Sequence, residues 1–143
     1  MGSPTITQTI EKYLDTVRMA RSVNTGRAYA NGMRVFTAVL KVNHLDPENS
    51  PVSVLMEDAA SWMADALKDY SPATEQLYLA ATVRYYEYLA AERLAEINLP
   101  RLRLLLHQRA RRPGQRLPQF PRDDIERILE FVNNLTNQLS DNL

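Results

Sequence analysis

Apolar residues recur every three or four positions along most of the chain, and no segment shows the strict alternation that marks a half-buried strand. This spacing predicts helices almost throughout. The first helix is predicted from about Thr5 to Arg21, and Thr5 and Gln8 have the spacing of a capping box at its start. Its apolar stripe comprises Ile6, Ile10, Tyr13, Leu14 and Val17.

The second predicted helix separates its apolar and polar residues most clearly. It begins after Ser22 or Asn24, either of which can cap it, and continues to about Val42. With about 100° of rotation per residue, one face carries Tyr29, Met33, Phe36 and Leu40, and the opposite face carries Arg27, Asn31, Arg34 and Lys41. Gly26 and Gly32 lie inside this helix, where glycine is unfavourable. They indicate a close approach to its backbone, by a phosphate or, as we favour, by a partner helix.

Two further helices are predicted after a proline-containing loop over residues 43–53. The third spans about Met56 to Asp69, with an inner face of Ala59, Trp62, Met63, Ala66 and Leu67 and an acidic outer face. The fourth starts at Ser71-Pro72, a favoured cap and first-turn pair, and ends near Arg93. Because it is apolar nearly all round, we expect it to be the most buried helix.

The remainder of the chain is basic and then acidic. A short basic helix is predicted over Arg101 to Arg109, and a further helix begins near Pro121 with the stripe Ile125, Ile128, Leu129 and Val132. The predicted fold is therefore all-α. It consists of an orthogonal bundle of four to five helices over residues 5–110, a basic linker over 111–121, and a further unit that begins within 122–143.

The formal net charge is zero, yet the charges are segregated along the chain. Residues 18–41 contain five basic side chains and no acid, residues 46–69 contain six acids and one lysine, and residues 101–122 contain seven arginines and no acid. Such polarity is typical of a surface that attracts a polyanion. We expect no metal and no cofactor, since the chain has no cysteine and only His44 and His107. No apolar run suits a membrane span, and no leader predicts secretion.

Three short sequence motifs resemble motifs of the tyrosine recombinase (phage integrase) family. The first is Ser22-Val23-Asn24-Thr25 followed by Tyr29, Phe36 and Leu40. The second is Ser71-Pro72-Ala73-Thr74 followed by Ala80-Ala81 and the cluster from Arg84 to Leu89. The third is Arg116-Leu117-Pro118-Gln119-Phe120 followed by the segment from Asp124 to Leu129. Each motif alone is weak evidence for the family. Their order and spacing together are more specific, and the resemblance covers nearly the whole chain.

The resemblance implies a SAM-like core-binding domain that clamps duplex DNA together with a catalytic domain, of which residues 122–143 would be the truncated start. The family's catalytic Arg, Lys, His-x-x-Arg and Tyr lie in that second domain, and neither His44 nor His107 begins a His-x-x-Arg. We therefore expect this chain to catalyse nothing by itself. The expected partners are duplex DNA and, in the full-length protein, other recombinase protomers. We expect a cytoplasmic, nucleoid-associated protein with neither a membrane partner nor a small-molecule substrate.

The candidate DNA-binding residues are polar groups of the second and fourth helices and arginines near the linker. They are Ser22, Asn24, Thr25, Arg27, Asn31, Arg34, Lys41, Thr74, Gln76, Tyr78, Arg84, Arg109, Arg111, Arg112 and Arg116. The face on which Arg84 lies is open at this point. Two other functions also stay open. The basic faces could meet an acidic protein partner, or the chain could be a self-contained enzyme, although pairs such as Asp123 and Asp124 suit the first turn of a helix.

Overall fold

In the computed structural model, which describes residues 3–110, five α-helices form the framework. They are α1 (Ile6–Ala20), α2 (Val23–Val42), α3 (Asp58–Ala66), α4 (Pro72–Ala91) and α5 (Leu99–Ala110), with 3₁₀ turns at Val52–Val54 and Leu67–Asp69. Over this stretch there is no strand, only a single bridge between Thr5 and Pro51. The all-α prediction is thus confirmed for the described part. The predicted linker and the helix near Pro121 lie outside it.

The helix starts follow the sequence signals. Thr5 and Gln8 form the predicted capping box, with Gln8 N donating to Thr5 Oγ1 at 3.1 Å and Thr5 N donating to Gln8 Oε1 at 2.9 Å. Ser22 and Ser71 cap α2 and α4 through their hydroxyl oxygens. The third helix, which has no side-chain cap, begins two residues later than predicted from Met56, and its predicted last turn is the 3₁₀ turn.

The loop between α2 and α3 is hydrogen-bonded to the beginning of α1. The first amides of a helix have no partner within the helix, and here two of them donate to the loop, Ile6 N to Ser50 O at 3.1 Å and Thr7 N to Pro47 O at 2.9 Å. Val52, on the same loop, donates from its N–H to Pro4 O at 2.9 Å and buries its side chain completely. The start of α1 is therefore saturated with internal hydrogen bonds.

A cluster of buried aromatic rings joins α1, α2 and α4. Tyr85 lies 5.5 Å from Tyr13 and 5.9 Å from Phe36 between ring centroids, and Tyr86 lies 6.2 Å from Phe36. These separations are those of favourable tilted and edge-on aromatic pairs. Leu40 and Met33 extend the same core along α2, as its apolar stripe predicts.

Two predictions about burial need correction. In α4 only the part from Ala81 to Leu89 is buried, whereas Leu77 near its start is 40% exposed. Apolar periodicity shows which side chains prefer burial, but not which half of a helix its neighbours cover. In α3 the inner face is wider than predicted and includes Ala60 and Ala64, because α2 and α4 pack on one side of it and α5 on another. Trp62 is only partly buried.

The closest helix contact occurs where α2 crosses α4 at Gly32. A Cβ placed on Gly32 would lie 3.2 Å from Tyr78 Cδ1 and 3.4 Å from both Tyr78 Cα and Ala81 Cβ. This glycine therefore serves helix packing, the interpretation favoured from the sequence. Farther along, Phe36 meets Tyr85 and Tyr86. Residue numbers thus increase in the same direction along both helices from one contact to the next. The N-terminal halves of α2 and α4 therefore lie on the same side of the crossing.

Candidate nucleic-acid interface

The outer face of α2 carries two exposed arginines that form no ion pair with any residue in the described part of the chain. Within residues 3–110, no carboxylate lies within 4 Å of Arg27 or Arg34. Helix α2 itself contains no Asp or Glu over its 20 residues, not even in the first turn, where acids are favoured. The exposed face predicted for this helix is confirmed for Arg27, Arg34 and Lys41, while Asn31 is half-buried.

Asn31 links the exposed face to the crossing with α4. Its Oδ1 accepts a hydrogen bond from Arg34 Nη1 at 2.9 Å. This bond restrains the Arg34 guanidinium and leaves the Asn31 amide group as a donor. The neighbouring Gly32 contacts Tyr78 of α4, so that Asn31 lies beside the place where the two helices meet.

We use the name α2–α4 groove for the surface on this flank that is defined by Asn24 and Asn31 of α2 and by Thr74 and Tyr78 of α4. Thr74 and Tyr78 precede the crossing on the face of α4 that continues through Ala81, since residues three or four apart share a helix face. Both side chains are half-buried. Tyr70 adjoins the groove, because its ring lies edge-on to Tyr78 with 6.0 Å between centroids, and it is 42% exposed.

The beginning of α2 lies at the same end as the groove. Ser22 Oγ accepts from Thr25 N at 3.2 Å, and the two hydroxyls lie 3.0 Å apart. The earlier amides of this first turn have no intrahelical acceptor. Together with the exposed Asn24, they form the kind of N–H-rich helix start that binds phosphate.

Four candidate residues lie elsewhere. Lys41 is at the far end of α2 and pairs with Glu48 at 3.6 Å. Gln76 lies about 140° around α4 from Ala81, away from α2. Arg84 acts electrostatically on Tyr13 of α1 and on Glu87 of α4, and its Nη1 is shielded from solvent without a hydrogen-bond partner within the described chain. Arg109 pairs with Asp65 of α3, Nε to Oδ1, at 3.2 Å.

In the described part of the second basic segment, the arginines of α5 do not form the free positive surface that the sequence indicates. Each arginine of α5 contacts a carboxylate from α3, from the residue that precedes α3, or from α4. The pairs are Arg101 with Glu57 and Asp58, Arg103 with Glu87, and Arg109 with Asp65. The remaining predicted residues of this segment, Arg111, Arg112 and Arg116, lie outside the described residues.

The buried tyrosines Tyr13, Tyr85 and Tyr86 are core groups. Tyr13 OH donates to Ala81 O at 2.8 Å, Tyr86 OH donates to Met56 O at 2.6 Å, and the hydroxyls of Tyr85 and Thr9 share a hydrogen bond of 2.8 Å. Burial raises the pKa of all three phenols above the ordinary tyrosine value. They are neutral hydrogen-bonding groups at physiological pH.

The chain matches no family model, no curated protein and no solved structure. Among residues 3–110 there is no cluster of three or more His, Cys, Asp or Glu side chains able to hold a metal ion. Nor does any helix in this range have the length and apolar character needed to cross a bilayer. The candidate interface consequently stands on its own geometry and charge.

Tyr70 is the groove residue that sequence reasoning missed. It lies directly before Ser71, the residue that caps α4, and its backbone is extended. An aromatic residue at such a position, next to polar first-turn residues, is the signal that could have identified it.

Proposed function

We propose that this chain is a duplex-DNA-binding module, the SAM-like core-binding domain of a tyrosine recombinase, and that α2 together with the start of α4 forms its DNA-binding surface. The observation that carries the proposal is the pair of uncompensated arginines, Arg27 and Arg34, on a 20-residue helix without a single acid. The order of the three sequence motifs supports the recombinase assignment.

The charge arrangement favours a polyanion over a neutral or apolar partner. A helix that binds in the groove of a partner protein usually does so through apolar side chains at helical spacing. The exposed stripe of α2 instead presents Arg27, Arg34 and the amide of Asn31. Arginine suits guanine edges and phosphate, and asparagine suits adenine. The N-terminal halves of α2 and α4, on one side of their crossing, add the polar side chains of Asn24, Asn31 and Thr74 and two capped helix starts.

The proposal is tested by titrating a fluorescently labelled duplex with the protein at several salt concentrations. We expect binding in the micromolar range at physiological salt, steeply weakened as salt increases, because most contacts go to phosphate. Arg27→Ala and Arg34→Ala should each weaken binding. A lost base contact costs about 1–3 kcal/mol, and a lost phosphate contact reduces the slope of log K against log salt by about one.

Lys12→Ala is the matched control, since Lys12 is an exposed cation on α1 with no ion pair in the described chain. It removes the same charge outside the proposed surface and should leave both affinity and salt slope nearly unchanged. All three variants should melt like the parent, because each side chain is exposed. Equal losses for Lys12→Ala and the two arginine variants would refute α2 as the binding element. Absence of duplex binding at low salt would refute the function itself.

A further inference from the structure

Helix α5 is held against the bundle by ion pairs as well as by apolar contacts, in which Leu99 and Leu106 pack partly buried against the core. Leu102 is its only fully buried side chain among residues 99–109, and Leu104 on the same helix is 55% exposed. The three arginines Arg101, Arg103 and Arg109 instead reach carboxylates at 2.9–3.4 Å. A helix that would otherwise present a row of arginines to solvent is thereby neutralised by its own chain.

These ion pairs differ in how readily they can open. The Glu57 side chain is 9% exposed and also accepts a hydrogen bond from Asn98 N at 3.0 Å, so that removing Arg101 would leave a buried charge. In the Arg109–Asp65 pair the carboxylate is 40% exposed, whereas the side chains of Glu57 and Glu87 are 9% and 10% exposed. The 3.2 Å Nε–Oδ1 contact between Arg109 and Asp65 is also not aligned as a hydrogen bond. Arg109 is thus the α5 arginine that can change partners at low cost.

Arg109 lies at the end of the bundle where α4 begins. Lys68, in the 3₁₀ turn that leads to α4, donates from Nζ to Arg109 O at 3.4 Å. The same lysine acts electrostatically on Glu75 in the first turn of α4. The end of α5 is therefore adjacent to the start of the helix that carries Thr74 and Tyr78.

We infer that Asp65 is an internal competitor for DNA: its carboxylate occupies Arg109 in the free protein, and a backbone phosphate displaces it when duplex DNA lies along the α2–α4 groove. Carboxylate and phosphate oxygens are equivalent acceptors for a guanidinium. The inference rests on the proposed function and adds to it an autoinhibitory contact. Removing Asp65 should accordingly strengthen DNA binding through one additional phosphate contact.

The test compares Asp65→Asn with Asp69→Asn by titration of a labelled random-sequence duplex over a range of salt concentrations. The two variants change the net charge equally and lie four residues apart. Asp69, however, has no basic side chain within ion-pair distance among residues 3–110. We expect Asp65→Asn to raise affinity at least about threefold and to steepen the salt slope by about one. We expect Asp69→Asn to change the slope little, and adding Arg109→Ala to Asp65→Asn should cancel the gain.

The outcomes separate the inference from the function on which it rests. Equal effects of Asp65→Asn and Asp69→Asn, with the parent protein binding DNA, would overturn the competition while leaving the DNA-binding function intact. Failure of both the parent and Asp65→Asn to bind would overturn both. An NMR titration of the Arg109 Nε–H signal gives a readout independent of affinity. The signal should move as DNA is added to the parent protein, and an unmoved signal at saturation would also overturn the inference.

Discussion

Gly26 and Gly32 allow the packing of α2 to be tested by one substitution made at two positions of the same helix. Replacing a helical glycine by alanine gains about 0.5–1 kcal/mol, because the unfolded chain loses conformational freedom. At Gly26 a new Cβ would meet only Arg18, at 3.4 Å from Cγ and 3.9 Å from Cα, and that flexible side chain can move. Gly26→Ala should therefore be stabilising by about that amount.

At Gly32 the same methyl group has no comparable room. It would lie 3.2 Å from Tyr78 Cδ1 and 3.4 Å from both Tyr78 Cα and Ala81 Cβ, and the last two atoms move only with α4 itself. Overpacking of this kind costs about 1–3 kcal/mol, which exceeds the gain from replacing glycine. Gly32→Ala should be less stable than the parent by about 1 kcal/mol, and hence less stable than Gly26→Ala by about 2 kcal/mol.

Thermal and urea denaturation followed by circular dichroism would measure this difference. For a domain of this size, 2 kcal/mol corresponds to a separation of about 8 °C in Tm. Gly32→Val, with two further methyl groups, should lower Tm more than Gly32→Ala does. If Gly32→Ala melts at or above the temperature of Gly26→Ala, then α2 and α4 do not approach as closely as the structure shows, and the α2–α4 groove loses its geometric basis.

Two further predictions concern buried polar groups. Tyr86→Phe should cost about 1–2 kcal/mol in urea denaturation, because Met56 O loses the hydrogen bond of 2.6 Å. Tyr88→Phe, at a hydroxyl that bonds no residue in the described range, should cost far less, and equal losses would contradict this account. Burial raises the pKa of Glu87 despite the opposing effect of Arg103, so the folded state binds the Glu87 proton more tightly than the unfolded state does. This stabilising effect is complete below the unfolded pKa and is lost as pH rises through the folded pKa. The stability of Glu87→Gln relative to the parent should therefore increase from pH 4 to pH 7, and a flat or falling difference would be inconsistent with that sign.

The sequence was sufficient where local rules decide the outcome. The caps Thr5, Ser22 and Ser71 and the two faces of α2 depend on residues within one or two turns, and the structure has them where the sequence predicts them. The packing role of Gly32 also follows from the sequence, because glycine is unfavourable inside a helix unless a close neighbour requires it.

The sequence failed where the partner of a residue is far along the chain. The arginines of α5 form an acid-free run, but each is neutralised by a carboxylate at least 16 residues away, such as Glu87 for Arg103 and Glu57 for Arg101. A count of neighbouring charges cannot detect such pairs. The face on which Arg84 lies was undecided for a similar reason, because its burial and its electrostatic effect on Tyr13 depend on how α1 packs against α4.

The backbone hydrogen bonds between residues 47–52 and the beginning of α1 have a consequence for the order in which the chain can fold. Although α1 is synthesised before α2, the carbonyl groups that accept from its Ile6 and Thr7 amides follow α2 in the sequence. Its first turn can be completed only after α2 and the following loop have left the ribosome. Such a non-local closure slows folding relative to a simple helical hairpin. Completion of the first turn of α1 is thus coupled to the formation of α2 and of the loop that follows it.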